Sequence, residues 1–232
     1  MSSDCFHFKR FDVFHDRCAM KVGTDGVLLG AWVNLNDETR ILDAGTGSGL
    51  IALMLAQRSR AEIVAIEIDR SGFEQASENV ARSPWAERIK VIHEDLMVYK
   101  SSEKFDLIVS NPPFFRKSLK APIKVRTLAR HDESLTWDHL VEKAASILNP
   151  FGRLAVIIPS EGFSFFESIC IQNKLYLKRK CEVSTKPGKQ PKRLLLEFCH
   201  ESLPIGYSCI TLGNSDNSRT SAYSDLTSDF YL

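Results

Sequence analysis

A chain of 232 residues with 44% apolar and 25% charged residues has the makeup of an ordinary globular protein able to bury a sizeable core, and no run of about 18 apolar residues is present to cross a membrane as a helix. Six scattered cysteines (Cys5, Cys18, Cys170, Cys181, Cys199, Cys209), with no Cys-x-x-Cys and no paired histidines beside them, point to reduced thiols rather than a disulfide framework, and no metal is expected. The net charge of +1 conceals an asymmetry: residues 1–109 hold 13 Lys/Arg against 17 Asp/Glu, residues 110–232 hold 17 against 12, and such a division can mark a polyanion-binding face.

The opening Met1-Ser2-Ser3-Asp4-Cys5-Phe6 lacks the basic-then-apolar layout of a leader, so a cytoplasmic location is expected. Phe6-His7-Phe8-Lys9-Arg10-Phe11 reads as an edge strand or an arm. Thr24 or Asp25 is placed to N-cap a short helix with Val27, Leu28, Ala31 and Trp32 on its apolar face. The two glycines before that face, Gly23 and Gly26, suggest a turn whose backbone approaches something closely.

Arg40-Ile41-Leu42-Asp43 is a short strand, followed by Ala44-Gly45-Thr46-Gly47-Ser48-Gly49 and a helix from Leu50 to Gln57. Three alternate glycines between strand and helix make a tight turn with exposed amides at a helix N-terminus. The next strand, Ile63-Val64-Ala65-Ile66-Glu67, ends in a carboxylate suited to both hydroxyls of a ribose; Asp69 competes for that role or caps the helix around 71–82. A third strand, Ile89 to His93, runs into Glu94-Asp95-Leu96, where Asp95 either accepts from an adenine amino group with Leu96 against the ring, or caps a short loop.

The fourth strand, Phe105-Asp106-Leu107-Ile108-Val109, is closed by Ser110-Asn111-Pro112-Pro113-Phe114. Asn111 Oδ1 and the Pro112 carbonyl can accept both N–H bonds of a planar amine while Phe114 stacks on its ring; the plain alternative is a strand-ending turn. Two stretches then concentrate the positive charge. Residues 116–130 carry Arg116, Lys117, Lys120, Lys124, Arg126 and Arg130 with no acid, and 174–193 include Lys186, Lys189, Lys192 and Arg193. All ten are candidate phosphate contacts, and any one of them can equally be solvated surface.

Trp137 to Leu148 is a helix with Leu140, Ala144, Ile147 and Leu148 on one face, Arg153 to Ile158 a central strand, and 160–172 holds another helix. Two strands near 175–184 and 192–199 flank a Lys-Pro-Gly-Lys turn, 213–222 is a polar and potentially mobile stretch, and Tyr223 to Leu232 holds a short helix docking Leu226, Phe230 and Tyr231. Alternating strands and helices predict an α/β fold with a mostly parallel sheet and an antiparallel hairpin at its end.

The order of motifs resembles the class I S-adenosylmethionine (SAM)-dependent methyltransferases that carry an Asn/Asp-Pro-Pro-aromatic motif. The blocks Phe8-Lys9-Arg10-Phe11 and Met20 to Trp32, with the ending Tyr223 to Leu232, are similar to the bacterial tRNA1(Val) adenine-N6 methyltransferases over nearly the whole chain. The resemblance implies a Rossmann-like fold with a seven-stranded sheet, laid out as one methyltransferase domain over 1–232. Its parts are an N-terminal arm and cofactor-enclosing helix (1–36), a catalytic core (37–200) and a C-terminal extension (201–232). It implies SAM held by Lys21, Thr24, Asp43, Gly45, Gly47, Gly49, Glu67, Asp95, Leu96 and Asn111, and catalysis by Asn111, Pro112 and Phe114. The implied substrate is the adenine at position 37, in the anticodon loop of a tRNA, taken by a protein that is expected to be monomeric. Phe114 stands where many relatives have Tyr, which keeps the ring and loses a hydroxyl. Relatives with this motif also methylate guanine N2 or a protein glutamine, and a non-catalytic RNA-binding module is the reading from another class. The absence of a Pro-Cys nucleophile argues against cytosine C5 as target.

Overall fold

The computed structural model describes residues 4–18, 20–113 and 135–232. Phe114 and the basic residues from Arg116 to Arg130 lie outside them. Strands β1 (Cys5–His7) and β2 (Asp12–Phe14) pair as a small antiparallel hairpin. There follow α1 (Thr24–Trp32), β3 (Arg40–Ala44), α2 (Leu50–Arg58), β4 (Glu62–Glu67), α3 (Arg70–Ala81), β5 (Ile89–His93) and β6 (Phe105–Ser110). Beyond the undescribed stretch come α4 (Trp137–Ile147), β7 (Leu148–Pro159), α5 (Phe163–Gln172), β8 (Tyr176–Ser184), β9 (Arg193–Cys199), β10 (Gly206–Thr211) and α6 (Ser221–Thr227).

The main sheet runs β10-β8-β9-β7-β6-β3-β4-β5. Only β9 is antiparallel to its neighbours, which bears out the expected mostly parallel sheet with a terminal hairpin. The sheet has eight strands rather than seven. The addition is β10, whose first four residues are exposed, so no alternation of apolar and polar positions betrays it.

Alternate residues of each central strand feed two cores. Ile41, Ile63, Ala65, Leu107, Val109, Ala155 and Ile157 pack under α1, α2 and α6, while Leu42, Val64, Ile66, Ile108, Leu154, Val156 and Ile158 pack under α4 and α5. Both faces are therefore covered, as a parallel sheet requires. On the first face α1 lies close against α2, since a Cβ on Gly26 would stand 3.0 Å from Leu50 Cδ2 and one on Gly30 2.7 Å from Met54 Sδ. The close approach expected of Gly26 is thus present, within the helix rather than in a turn. The helix start differs from expectation: Gly23 is the N-cap, which has no side chain to offer, and Asp25, inside the first turn, pairs with Arg193.

The two chain ends meet. The backbone N–H of Lys9 donates to the Phe230 carbonyl (2.8 Å), Lys9 Nζ to the Ser228 carbonyl (2.7 Å), and Phe6 and Phe8 pack on Tyr231. Phe230 is buried, and Thr220 N-caps α6 by accepting from the Tyr223 N–H. The stretch 213–222 forms a turn closed by a Gly213–Arg219 bridge and by Asn214 N–H donating to the Ser218 carbonyl, so it is structured rather than a loose tail.

Candidate active site

In the parallel part of the sheet, the carboxyl-terminal edge collects the ends of β3, β4, β5 and β6, and register makes them level: Ala44 opposite Ile66, Glu67 opposite His93, Asp43 opposite Val109. Open α/β sheets bind ligands at this edge. The turn after β3 holds Gly45, Gly47 and Gly49 at φ of 73°, 56° and 83°, a left-handed region that a side chain would strain. A Cβ on Gly47 would meet nothing within 4 Å among the described residues, so with respect to them the loop's backbone is open on that side. The Gly45 and Thr46 N–H groups donate to the Ile66 carbonyl at 2.9 and 3.0 Å, which binds the turn to β4.

Glu67, half-buried at the tip of β4, accepts from the Gly47 N–H through Oε2 (2.8 Å) and from the Asp69 N–H through Oε1 (2.9 Å). Each oxygen keeps a second lone pair for a donor such as a ribose hydroxyl. Asp69 accepts from the Gly72 N–H at 2.7 Å and caps α3, so it takes the second of its two expected roles. Asp95 is exposed and accepts from the Met97 N–H at 2.8 Å, which caps a short turn, while Leu96 is buried in the second core. Lys21 and Thr24 are exposed, Thr24 as the first residue of α1.

Asp43 is fully buried. Its Oδ2 accepts from Thr46 Oγ1 (2.6 Å) and from the Ala52 N–H (3.1 Å), and its Oδ1 has no partner among the described residues. Burial pushes its carboxyl up to about 7, against the opposing pull of those two hydrogen bonds. Asn111 follows the last residue of β6 and is half-buried; its Oδ1 is also without a partner among the described residues. Pro112 is buried behind it and Pro113 exposed. Two buried acceptors left open at one edge are costly unless a ligand supplies donors. With the open glycine turn and Glu67, the Asp43 acceptor belongs to a set of groups that fits a nucleoside bearing an amino acid, such as SAM, and Asn111 Oδ1 is left for the donor of a second molecule.

Two residues not anticipated from the sequence brace this edge. The Ser110 hydroxyl donates to the Ala44 carbonyl at 2.7 Å, tying β6 to β3 where Asn111 and the glycine turn emerge. Asn79 on α3, 1% exposed, donates to the Ser48 carbonyl and to the Phe14 carbonyl (2.8 Å each) and accepts from the Phe14 N–H at 3.0 Å. It fastens the N-terminal hairpin to the glycine turn. Polar residues at i and i+4, Gln75 and Asn79, within an apolar helix face were the only signal. Beyond the hairpin, the Arg17 N–H donates to Gln75 Oε1 at 3.2 Å and Arg17 pairs with Glu78. The Cys18 thiol is pushed up to about 11 by burial and by the nearby Glu67 and Asp69 carboxylates.

The turn between β8 and β9 reaches the same edge, because Arg193 stands opposite Pro159 at the end of β7. Lys189 and Lys192 are exposed, Lys186 is half-buried, and Arg193 Nε donates to Asp25 Oδ2 at 2.8 Å. The turn is clasped to β7 by Ser160 Oγ donating to the Pro191 carbonyl at 2.5 Å.

The described geometry is that of a nucleoside-binding α/β enzyme. Residues 18–164 match the family model described as methyltransferase small domain. A curated tRNA1(Val) (adenine(37)-N6)-methyltransferase of Bacteroides thetaiotaomicron is 46% identical, covering 100% of this chain and 99% of its own length. Proteins of the same name from Phocaeicola vulgatus (100% and 99% covered) and Tolumonas auensis (100% and 98%) are 47% and 41% identical. The chain belongs to the methyltransferase small-domain family and, within it, to the family of these tRNA1(Val) (adenine(37)-N6)-methyltransferases. Among solved structures, it is similar to a predicted O-methyltransferase from Agrobacterium tumefaciens, with TM-score 0.68, 18% identity and coverage of 89% of this chain and 96% of that one. The glycopeptide N-methyltransferase MtfA complexed with SAM gives 0.57 at 10% identity, with 78% and 100% covered. At such identities these two speak to the fold.

Proposed function

We propose that this chain, acting as one methyltransferase domain in the cytoplasm, uses SAM to methylate the N6 amino group of the adenine at position 37 of tRNA1(Val). The observation that carries the reading is the unpartnered Asn111 Oδ1 at the end of β6, on the same edge as the glycine turn and Glu67. Full-length relatives named for this reaction support the choice of substrate. A cytoplasmic site of action accords with a described structure in which no helix is long and apolar enough to cross a membrane.

Bound SAM supplies an electrophilic methyl group. The chain's own part is to bind and to orient. The Gly45–Gly49 turn would admit the ligand backbone-close, Glu67 would accept from the ribose hydroxyls, Asp43 Oδ1 would accept from the amino acid end, and Lys21, Thr24, Asp95 and Leu96 would complete the enclosure. Adenine N6 is a poor nucleophile because its lone pair is delocalised into the ring. Asn111 Oδ1 and the Pro112 carbonyl accept its two N–H bonds and draw N6 toward tetrahedral geometry, which frees the lone pair from the ring for in-line attack. Phe114 is assigned the ring face. After transfer the amine is cationic and sheds a proton readily, so positioning is the larger catalytic contribution. An anticodon-loop base must be splayed out to reach Asn111, which costs less in a single-stranded loop than in a duplex. Lys186, Lys189 and Lys192, with the basic residues between Arg116 and Arg130, are assigned to the phosphates.

The test is to incubate the protein with labelled SAM and unmodified tRNA1(Val). Label is expected in N6-methyladenosine at position 37. Label in guanine N2, in a protein glutamine, or in no acceptor would replace this reading with a different methyl acceptor or with a non-catalytic RNA-binding role.

A further inference from the structure

Between the N-terminal hairpin and α1 the chain has to travel a fixed distance. At one end, the Arg17 N–H is held by Gln75 and the Cys18 thiol senses Glu67 and Asp69 at the end of β4. At the other, Asp25 meets Arg193 at the start of β9. The start of α1 also stands beside the glycine turn: a Cβ on Gly26 would lie 3.0 Å from Leu50 Cδ2, and Leu50 directly follows Gly49.

The connection from the hairpin to α1 is fixed at both ends. Its first end has a hydrogen bond to Gln75 and an ion pair to Glu78. Its second end enters α1 through Gly23, which offers no capping side chain. The residue that fixes the first turn is Asp25, and its partner is on another layer of the fold, 168 residues away in sequence. Side chains of Asp25 and Arg193 are 23% and 32% exposed, so the pair is partly withdrawn from solvent and from salt screening. The Arg193 backbone is itself fixed by the β7 and β9 ladder.

We propose that Arg193 is a positioning residue for SAM: through Asp25 it pins the first turn of α1 beside the glycine turn and so holds Lys21 and Thr24 at the cofactor cleft, rather than gripping RNA as its basic neighbours are assigned to do. The inference rests on the cofactor-site reading above but not on the choice of tRNA as substrate.

The experiment measures SAM affinity by calorimetry on the full-length protein without RNA, for wild type, Asp25→Asn, Arg193→Gln and the double variant. Each single change is expected to weaken SAM about three- to tenfold, the span of a charge-assisted hydrogen bond partly replaced by water. The double variant is expected to lose no more than either single, and the reversed pair Asp25→Arg with Arg193→Asp to recover most of the loss. Unchanged SAM affinity in Arg193→Gln overturns the proposal, including the case where melting temperature falls alone, which would mark a purely structural pair. Loss of tRNA affinity in Arg193→Gln with Asp25→Asn silent also overturns it, since Arg193 would then be a phosphate contact. Failure of the wild type to bind SAM at all would instead sink the cofactor reading beneath it.

Discussion

Asn111 and Asp43 present the same anomaly, a buried acceptor atom with no donor among the described residues, and the chemistry on each side of it differs. Asn111 Oδ1 is assigned to the reacting amine. Asn111→Ala is expected to lower turnover by at least about a hundredfold while changing SAM affinity less than about threefold, because the lost bond orients the nucleophile and not the cofactor. Methyl transfer to tRNA and calorimetry with SAM check the two halves separately. Asp43 carries a carboxyl raised from 3.8 to about 7 by burial. A raised acid binds its proton more tightly in the folded state, so the stability this contributes is complete below 3.8 and is lost as pH climbs through about 7. Thermal melts of the SAM-free protein should therefore fall between about pH 4 and pH 7, and Asp43→Asn should flatten that fall. An identical pH profile in the variant would show that other groups produce it.

Elements are held in place by a few tight approaches. A Cβ on Gly162, which ends the turn after β7, would stand 2.4 Å from the Trp137 indole at the first turn of α4. Gly162→Ala is expected to destabilise the protein by about 1–3 kcal/mol in urea unfolding, with partial recovery on adding Trp137→Phe. Close packing of this kind explains what could be read in advance. The glycine turn, Glu67 and Asn-Pro-Pro were legible because their chemistry is local: left-handed backbone, a strand-end acid, a ladder stopped by proline. Helix spans such as Trp137–Ile147 followed from periodicity, with Thr136 accepting from the His139 N–H as the cap. Asn79, the Asp25–Arg193 pair and the uncapped start at Gly23 were hidden because each is decided by a partner far along the chain. The exposed β10 was hidden for want of any pattern.

At the scale of the molecule, the charge asymmetry acquires a location. The β8–β9 turn brings Lys189 and Lys192 to the edge that carries Asn111, so the positive half of the sequence borders the candidate site. Replacing Lys189 or Lys192 by Gln should weaken tRNA binding and reduce the slope of log affinity against log salt by up to about 1 for each phosphate no longer neutralised, with SAM affinity unchanged. Titrations at several salt concentrations check this, and an unaltered slope would show that the lysine in question grips no phosphate.

The junction of the chain's two ends bears on how the protein is made. Lys9 cannot find the Phe230 and Ser228 carbonyls, nor Phe8 the face of Tyr231, until residues 228–231 have been translated and have left the ribosome. The hairpin thus waits for the stretch after α6, and a nascent chain stopped before Ser228 would hold it by the Asn79 and Gln75 contacts without the second clasp.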